Sequence, residues 1–396
     1  MVTRRDFLTL GLASLAFAAA AGRPAPARAD APRRSTTPRY MASILLSGGV
    51  DAIYTTDPKT RSEVDASVDL PYSPDRIVSA GALRLGPHLA PFARLAPRLA
   101  ILNGIAVRTA NHNTGTEQFA RMRTRTRPEM PTLLGVLGER RDTQALGCMG
   151  WSFGAPQLLN VFDETPEDLR RMAHLLDNQS RALSRHRGEP YGRRTEDLVA
   201  SAARLLERAA GSRPLAYEIW TPDEDGQNAA RALQRVLWAF ENDLVRCFEV
   251  NVGGLDQPWD THTFNTERQT RAAKMLDVVA RFLSELEVRG LVERTLVVVG
   301  SEIGRFPALN GQSGKDHFPE VPLILFGAGI RGGAAYGRTA RRMEALPVSL
   351  KTGKDDRAGH AVTLDDVGAT LLTVGGIDDP RALGYDGRVL DFLVDA

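Results

Sequence analysis

From residue 40 onward the chain alternates short apolar runs with amphipathic stretches. "MASILLSGG" (Met41 to Gly49) is an apolar run that ends in glycines, and "RLAILNGIAV" (Arg98 to Val107) is a second; both predict buried strands. Between about 164 and 246 the apolar positions recur at helical spacing instead. "TPEDLRRMAHLL" opens with Thr165 as a cap and with Glu167 and Asp168 in the first turn. "TEDLVASAARLLERAAG" repeats that start signal at Thr195 and stops at Gly211. Met172, Leu175 and Leu176 read as core contacts of this helical region.

Past 246 strand and helix patterns alternate again. "RCFEVNVGG" predicts a strand, and "TERQTRAAKMLDVVARFLSELEVRG" a long helix with Ala272, Leu276, Val279, Leu283 and Leu286 on one face. "TLVVVG" and "VPLILFG" are continuously apolar, as expected of strands covered on both sides in a mainly parallel sheet. "TLDDVGATLLTVGG" closes the pattern as a capped helix. The whole predicts one large α/β domain over residues 41–396, with a mainly parallel central sheet and a helical insertion at about 164–246. A chain of 396 residues, 43% of them apolar, is long enough to bury such a core.

The amino terminus reads differently. "TRRDFL" (Thr3 to Leu8) precedes an uncharged Ala/Leu-rich stretch to Gly22, and Ala27-Arg28-Ala29 fits a small-x-small cleavage site. The apolar run is shorter than the ~20 residues a membrane span needs. With Arg4-Arg5 beside Phe7-Leu8, residues 1–29 resemble a twin-arginine export signal, which implies the export machinery as a partner and a periplasmic or secreted protein. Residues 30–40, rich in Pro and Arg, read as a flexible lead-in. Removing residues 1–29 takes away four Arg and one Asp, so the formal charge falls from +2 to −1 and a nucleic-acid role gains no support. No long apolar segment follows residue 22, so no stable membrane span is expected. Cys148 and Cys247 allow one disulfide at most.

Candidate chemistry gathers at the predicted strand ends, where α/β sheets bind ligands. Asp51 follows "ILLSGG"; Asp260 and His262 stand in "WDTHTFN"; Glu302 follows "TLVVVG"; Asp316 and His317 precede "VPLILFG". Carboxylates crowded at one edge repel one another unless a cation compensates them. Mixed Asp, Glu and His donors suit zinc, manganese or iron. Plainer roles stand beside these: Asp51 as a helix cap, Glu302 as a buried partner of Arg305, and Asp316–His317 as a loop hydrogen-bond pair.

Five motifs in order ("GGVD", "WDTH", "SEIGR", "GKDHFPEVPLILFGAGIRGG" and "VTLDDVGATLLTVGGID") resemble the DUF1501 family of the alkaline phosphatase-like superfamily. The resemblance runs from about Ala42 to Leu393. It implies a three-layer α/β sandwich and one or two divalent ions, zinc or manganese, flanking a small anionic ester substrate. Carried over by position, Asp51, Asp260, His262, Glu302, Asp316 and His317 become metal ligands; in a hydrolase built on them Arg305 would clamp the anion. The nucleophile is then Thr114 or Thr116 in "NHNTGTEQFARMRT", or a metal-bound hydroxide, and either threonine equally reads as a helix cap. His112 reads as a base, a ligand or a loop residue. Ser301-Glu302 stands where the superfamily has Asp-His, so one nitrogen ligand is missing, with His360 as a substitute. Counting to the usual nucleophile position lands on Gly115, and the sulfatase signature Cys-x-Pro-Ser-Arg is absent.

"GAGIRG" (Gly327 to Gly332) fits a dinucleotide fingerprint, but Gly333 and Gly337 interrupt any helix after it, so it predicts a tight turn. "GQSGKD" lacks the first glycine and the Ser/Thr of a phosphate loop. Two functions remain: an exported metal-dependent hydrolase of phosphate or related esters, and an exported binding or assembly protein that keeps the fold without turnover.

Overall fold

The computed structural model describes residues 37–127, 130–150, 161–186, 192–253 and 256–395. The expected export signal and most of the lead-in lie outside these residues. The chain divides into two compact units. The larger holds the described residues up to 126, residues 219–230 and those from 251 on; the smaller holds the described residues among 127–218 and 231–250.

In the larger unit the first apolar run forms β1 (Tyr40–Leu45). A small hairpin follows, β2 (Val78–Ala80) with β3 (Leu83–Leu85), and then β4 (Leu99–Ala106). Later come β7 (Thr295–Gly300), β8 (Gly304–Arg305), β9 (His317–Phe318), β10 (Glu320–Gly327) and β11 (Ala334–Tyr336). β1 pairs in parallel with β7, and β4 in parallel with β11. β10 lies between β7 and β4 and runs antiparallel to both. Four strands therefore point one way and β10 runs against them, which keeps the sheet mainly parallel. Every residue of β7 and the middle of β10 are buried, because both faces are covered and a continuous Val/Ile/Leu run suits that environment.

The direction of β10 matters for function. Because it returns beside β7, both ends of the connection 301–319 lie at the carboxyl edge of β7. Leu323 sits opposite Gly300. β8 and β9 then pair within that connection, with Arg305 opposite His317. A residue just after β7 and one just before β10 are thus held at one edge.

Three helices belong to this unit: α1 (His112–Arg121), α6 (Asn265–Val288) and α7 (Leu364–Val374). The five apolar positions expected to line α6 are all buried. α7 opens with the capping box of Thr363 and Asp366. "GAGIRG" ends β10 and leads to β11, so a strand follows it and not a helix.

The smaller unit carries α2 (Leu133–Gly138), β5 (Leu146–Gly150), α3 (Pro166–Leu183), α4 (Gly192–Gly211), the later part of α5 (Glu224–Glu241) and most of β6 (Val245–Asn251). The Thr165 side chain accepts the Asp168 N–H at the start of α3, as its sequence predicts. α4 begins at Gly192, three residues before the start signal at Thr195, since arginines 193 and 194 are good helix formers and extend it backwards. Leu175 is 43% exposed and not a core contact; one step off the inward stripe, it leaves that role to Ala173 and Leu176. Cys148 and Cys247 are register partners on the parallel β5–β6 pair, yet both are free thiols. Burial pushes the Cys247 thiol up to about 12. Among the described residues no helix is long and apolar enough to cross a membrane.

Candidate metal centre

The loops at the carboxyl edge of β1 and β7 are tied together by backbone geometry that only glycine permits. Gly48 and Gly49, just past β1, have φ of 116° and 99°. A Cβ on Gly48 would lie 2.3 Å from the Asp260 nitrogen, and one on Gly49 would lie 2.6 Å from Arg305 Nε. The chain therefore passes close enough to bring residue 260 and Arg305 against the end of β1. The Gly48 N–H donates to Glu302 Oε1 at 2.8 Å, and the Gly49 N–H to Ser301 Oγ at 3.1 Å.

α1 starts at the same edge, after β4. Asn111 caps it by accepting the Thr114 N–H at 3.0 Å, which sets His112 as the first helical residue. Gly115 packs against Glu302, whose carbonyl oxygen would lie 2.5 Å from any Cβ at that position. A residue with a side chain at position 115, where counting placed the nucleophile, would push α1 off the Glu302 loop.

His112, Asp260 and His317 converge: one ligand atom of each lies within 4.8 Å of the others. His112 Nδ1 is 2.7 Å from Glu302 Oε1. His317 Nδ1 is 2.5 Å from the Ala110 carbonyl oxygen. A carbonyl oxygen only accepts, so His317 Nδ1 carries the hydrogen and Nε2 carries a lone pair. Glu302 Oε1, which already accepts the Gly48 N–H, accepts from His112 Nδ1 in the same way and sets the same tautomer there. Both Nε2 atoms are buried and have no hydrogen-bond partner among the described residues. Three acceptors thus face one another without a donor, and the ring centroids of His112 and His317 are only 4.4 Å apart. The donor set fits a divalent ion, and each histidine is oriented through its other nitrogen as metal-binding histidines are.

Asp260 is oriented from two sides. Its Oδ1 accepts from Arg305 Nη2 at 2.8 Å and lies 2.5 Å from His262 Nδ1, while Oδ2 is 3.7 Å from His112 Nε2. Burial opposes its charge, but the Arg305 guanidinium and His262 outweigh that and hold the carboxyl below the usual range. Burial lowers His317 against the raising effect of the Ala110 hydrogen bond, and the positive charge of Arg305 adds to the lowering, a direction that favours the neutral imidazole a ligand needs.

The structure separates the residues expected from sequence. Asp260 and His317 join the cluster. His262 is 44% exposed, with Nδ1 turned to Asp260 and its ring 4.5 Å from that of His317, so it borders the cluster without joining it. Glu302 stands behind His112; its Oε2 accepts the Ser301 hydroxyl at 3.0 Å. Asp316 is exposed and accepts from Asn310 Nδ2 at 3.0 Å, bracing its own loop. Asp51 departs from the expected ligand role: Oδ1 accepts the Ile53 N–H at 3.1 Å, and Oδ2 meets the Lys315 ammonium at 2.7 Å. Arg305 departs from the expected clamp. Its side chain is fully buried, and four of its five donors go to Asp260 and to the Gly48, Gly49 and Lys315 carbonyls, which spends it on holding the loops together.

Thr114 is exposed and Thr116 half-buried, and among the described residues neither hydroxyl bonds to the cluster. His360 is bound 2.8 Å from Asp366 in the α7 cap and does not supply the missing ligand. Sequence reasoning left His112 open and passed over Lys315. The signal for His112 was its place at a helix start just after an apolar strand; that for Lys315 was a lysine inside an acid/His motif.

Comparison with family models matches residues 212–390 to DUF1501, described as "Protein of unknown function". Asp260, His262, Glu302, Asp316 and His317 lie inside the match, so the resemblance read from the later motifs is borne out there; Asp51 and His112 precede it. None of the curated proteins compared with the chain matches it. Among solved structures, the lipoteichoic acid synthase LtaP from Listeria monocytogenes is similar, at 9% identity and TM-score 0.40, over 91% of this chain and 77% of that one. The phosphonate monoester hydrolase SpPMH from Silicibacter pomeroyi is similar at 13% identity and TM-score 0.36, over 90% of this chain and 76% of that one.

Proposed function

We propose that the chain is a metal-dependent hydrolase of phosphate or related esters that works with one divalent ion held by His112, Asp260 and His317. The observation that carries this reading is the pair of buried, unpartnered Nε2 atoms facing the Asp260 carboxylate. Two nitrogens and a carboxylate suit zinc or manganese. When bound, such an ion polarises an ester oxygen and acidifies a coordinated water. Glu302 and the Ala110 carbonyl hold the two histidines in the tautomer that presents Nε2. Arg305 holds Asp260 in place from below. His262, half exposed beside His317, keeps Nδ1 on Asp260, so its Nε2 is free to accept a proton from an attacking water and return it to the leaving oxygen. Water is the nucleophile in this scheme, because neither Thr114 nor Thr116 is bonded to the cluster.

That same absence of a bonded hydroxyl favours the second reading, an exported binding or assembly protein with a structural metal. Metal content and turnover on a panel of phosphate, phosphonate and sulfate esters separate the two. One equivalent of metal with ester turnover that vanishes in Asp260→Ala supports the hydrolase. One equivalent with no turnover on the panel supports the binding protein, and no metal in a folded protein sinks the hydrolase and leaves the binding protein. On the features of residues 1–29 we also propose export by the twin-arginine machinery, with a small anionic ester as substrate and no nucleic-acid partner.

A further inference from the structure

Lys315 is the charged group that the proposed chemistry leaves unused. Its side chain is 0% exposed, its ammonium lies 2.7 Å from Asp51 Oδ2 and 3.5 Å from Asp69 Oδ2, and Asn265 Nδ2 donates to the same Asp51 oxygen at 3.3 Å. Asp69 Oδ2 is itself buried and accepts no hydrogen bond, so the ammonium is its compensation. The main chain of Lys315 is fixed as well: its N–H donates to the Thr261 carbonyl at 2.9 Å, and its carbonyl accepts from Arg305 Nη1 at 2.9 Å. One residue therefore joins the loop after β1, the 260–262 loop, Arg305 and the strand that carries His317.

Two carboxylates brought together out of water need a cation between them. Here that cation is part of the chain. We infer that Lys315 is the resident cation of a second acidic pocket, formed by Asp51 and Asp69, so that the protein carries one exchangeable metal and removal of the ammonium opens a second site for an oxygen-preferring divalent ion. The inference rests on the single-ion reading above. Lys315 is a positioning residue in that reading: it fixes the loops of Asp260 and His317 before any metal arrives. The vacated pocket would offer carboxylate oxygens alone, since Asn265 turns its Nδ2 donor to Asp51 and its oxygen to Thr261, a set that suits manganese or magnesium.

The test is the manganese content of the full chain after loading and desalting, with circular dichroism to follow the fold. Wild type, Lys315→Ala, Asp260→Ala and the charge-neutral double variant Asp51→Asn/Lys315→Met are compared. The expected result is one equivalent in wild type, two in Lys315→Ala, one in the double variant and none in Asp260→Ala. Two equivalents in wild type, or one in a folded Lys315→Ala, overturns the inference while leaving the His112–Asp260–His317 site standing. Should Lys315→Ala fail to fold, the double variant decides: metal retained shows that Asp51 is no ligand, and metal lost shows that it is. No metal in any form of the protein overturns the single-ion reading, and this inference with it.

Discussion

Two acidic groups in the larger unit meet the same physical problem and solve it differently. Around Asp51 and Asp69 the compensating charge is built in, a lysine ammonium that cannot leave. Around Asp260 the guanidinium of Arg305 fixes one oxygen, and the other faces two imidazole lone pairs with no donor among them. The first arrangement is complete as folded, and the second offers three ligand atoms to an added cation. What separates a structural ion pair from a candidate active site is whether the counter-charge is covalent. The presence of a carboxylate beside a basic group does not separate them, because both have one: Asp51 with Lys315, and the partly exposed Asp260 with Arg305.

The largest way to break this comparison is at the open cluster. Asp260→Ala or His317→Ala should abolish metal binding, read by metal analysis, and ester turnover with it. The next is at the closed cluster. Lys315→Ala leaves the buried Asp51 and the partly exposed Asp69 uncompensated and should cost about 3–5 kcal/mol, measured by urea unfolding without added metal. Asp51→Asn/Lys315→Met should cost less, since it leaves only the partly exposed Asp69 without its cation. If both variants are equally unstable, packing and not charge holds the pocket.

Smaller effects sharpen the contrast. Glu302→Gln keeps an acceptor for His112 and removes its charge; it should weaken metal affinity by roughly 10–100-fold while the fold persists. The pH response has a fixed sign. His317 is held below its ordinary value near 6.5, first by burial. The unfolded chain therefore binds more protons as pH falls through that value, and the metal-free protein should lose stability there. Urea midpoints that do not fall between pH 7.5 and 5.5 would contradict this. Smallest of all, Thr114→Ala should change stability by no more than about 0.5 kcal/mol, as exposed substitutions do. It should also leave turnover intact; a large loss of turnover would restore Thr114 as the nucleophile.

The strands and the long helix α6 were legible because burial writes itself into local pattern. "TLVVVG" is apolar throughout because both faces of β7 are covered, and the five apolar positions of α6 fall on its buried side. The caps at Thr165 and Thr363 were legible because capping is a contact of three residues' reach. The site was legible only in part. Clustering acids and histidines at strand ends named Asp260 and His317, which meet, and Asp51, which does not. Nothing local distinguishes them, since the partner of Asp51 is 264 residues away at Lys315 and that of Glu302 is 190 residues away at His112.

The sequence alone therefore determined which segments are buried, which strand ends carry acids and histidines, and that the chemistry belongs at one edge of an α/β sheet. Only the tertiary structure decided which acid keeps a lysine and which keeps an open face. It did so through the antiparallel return of β10, which sets Lys315 against Asp51 and His317 against His112. A contact across the sheet edge depends on the direction and register of strands far apart in the chain, and no short window of residues carries that information.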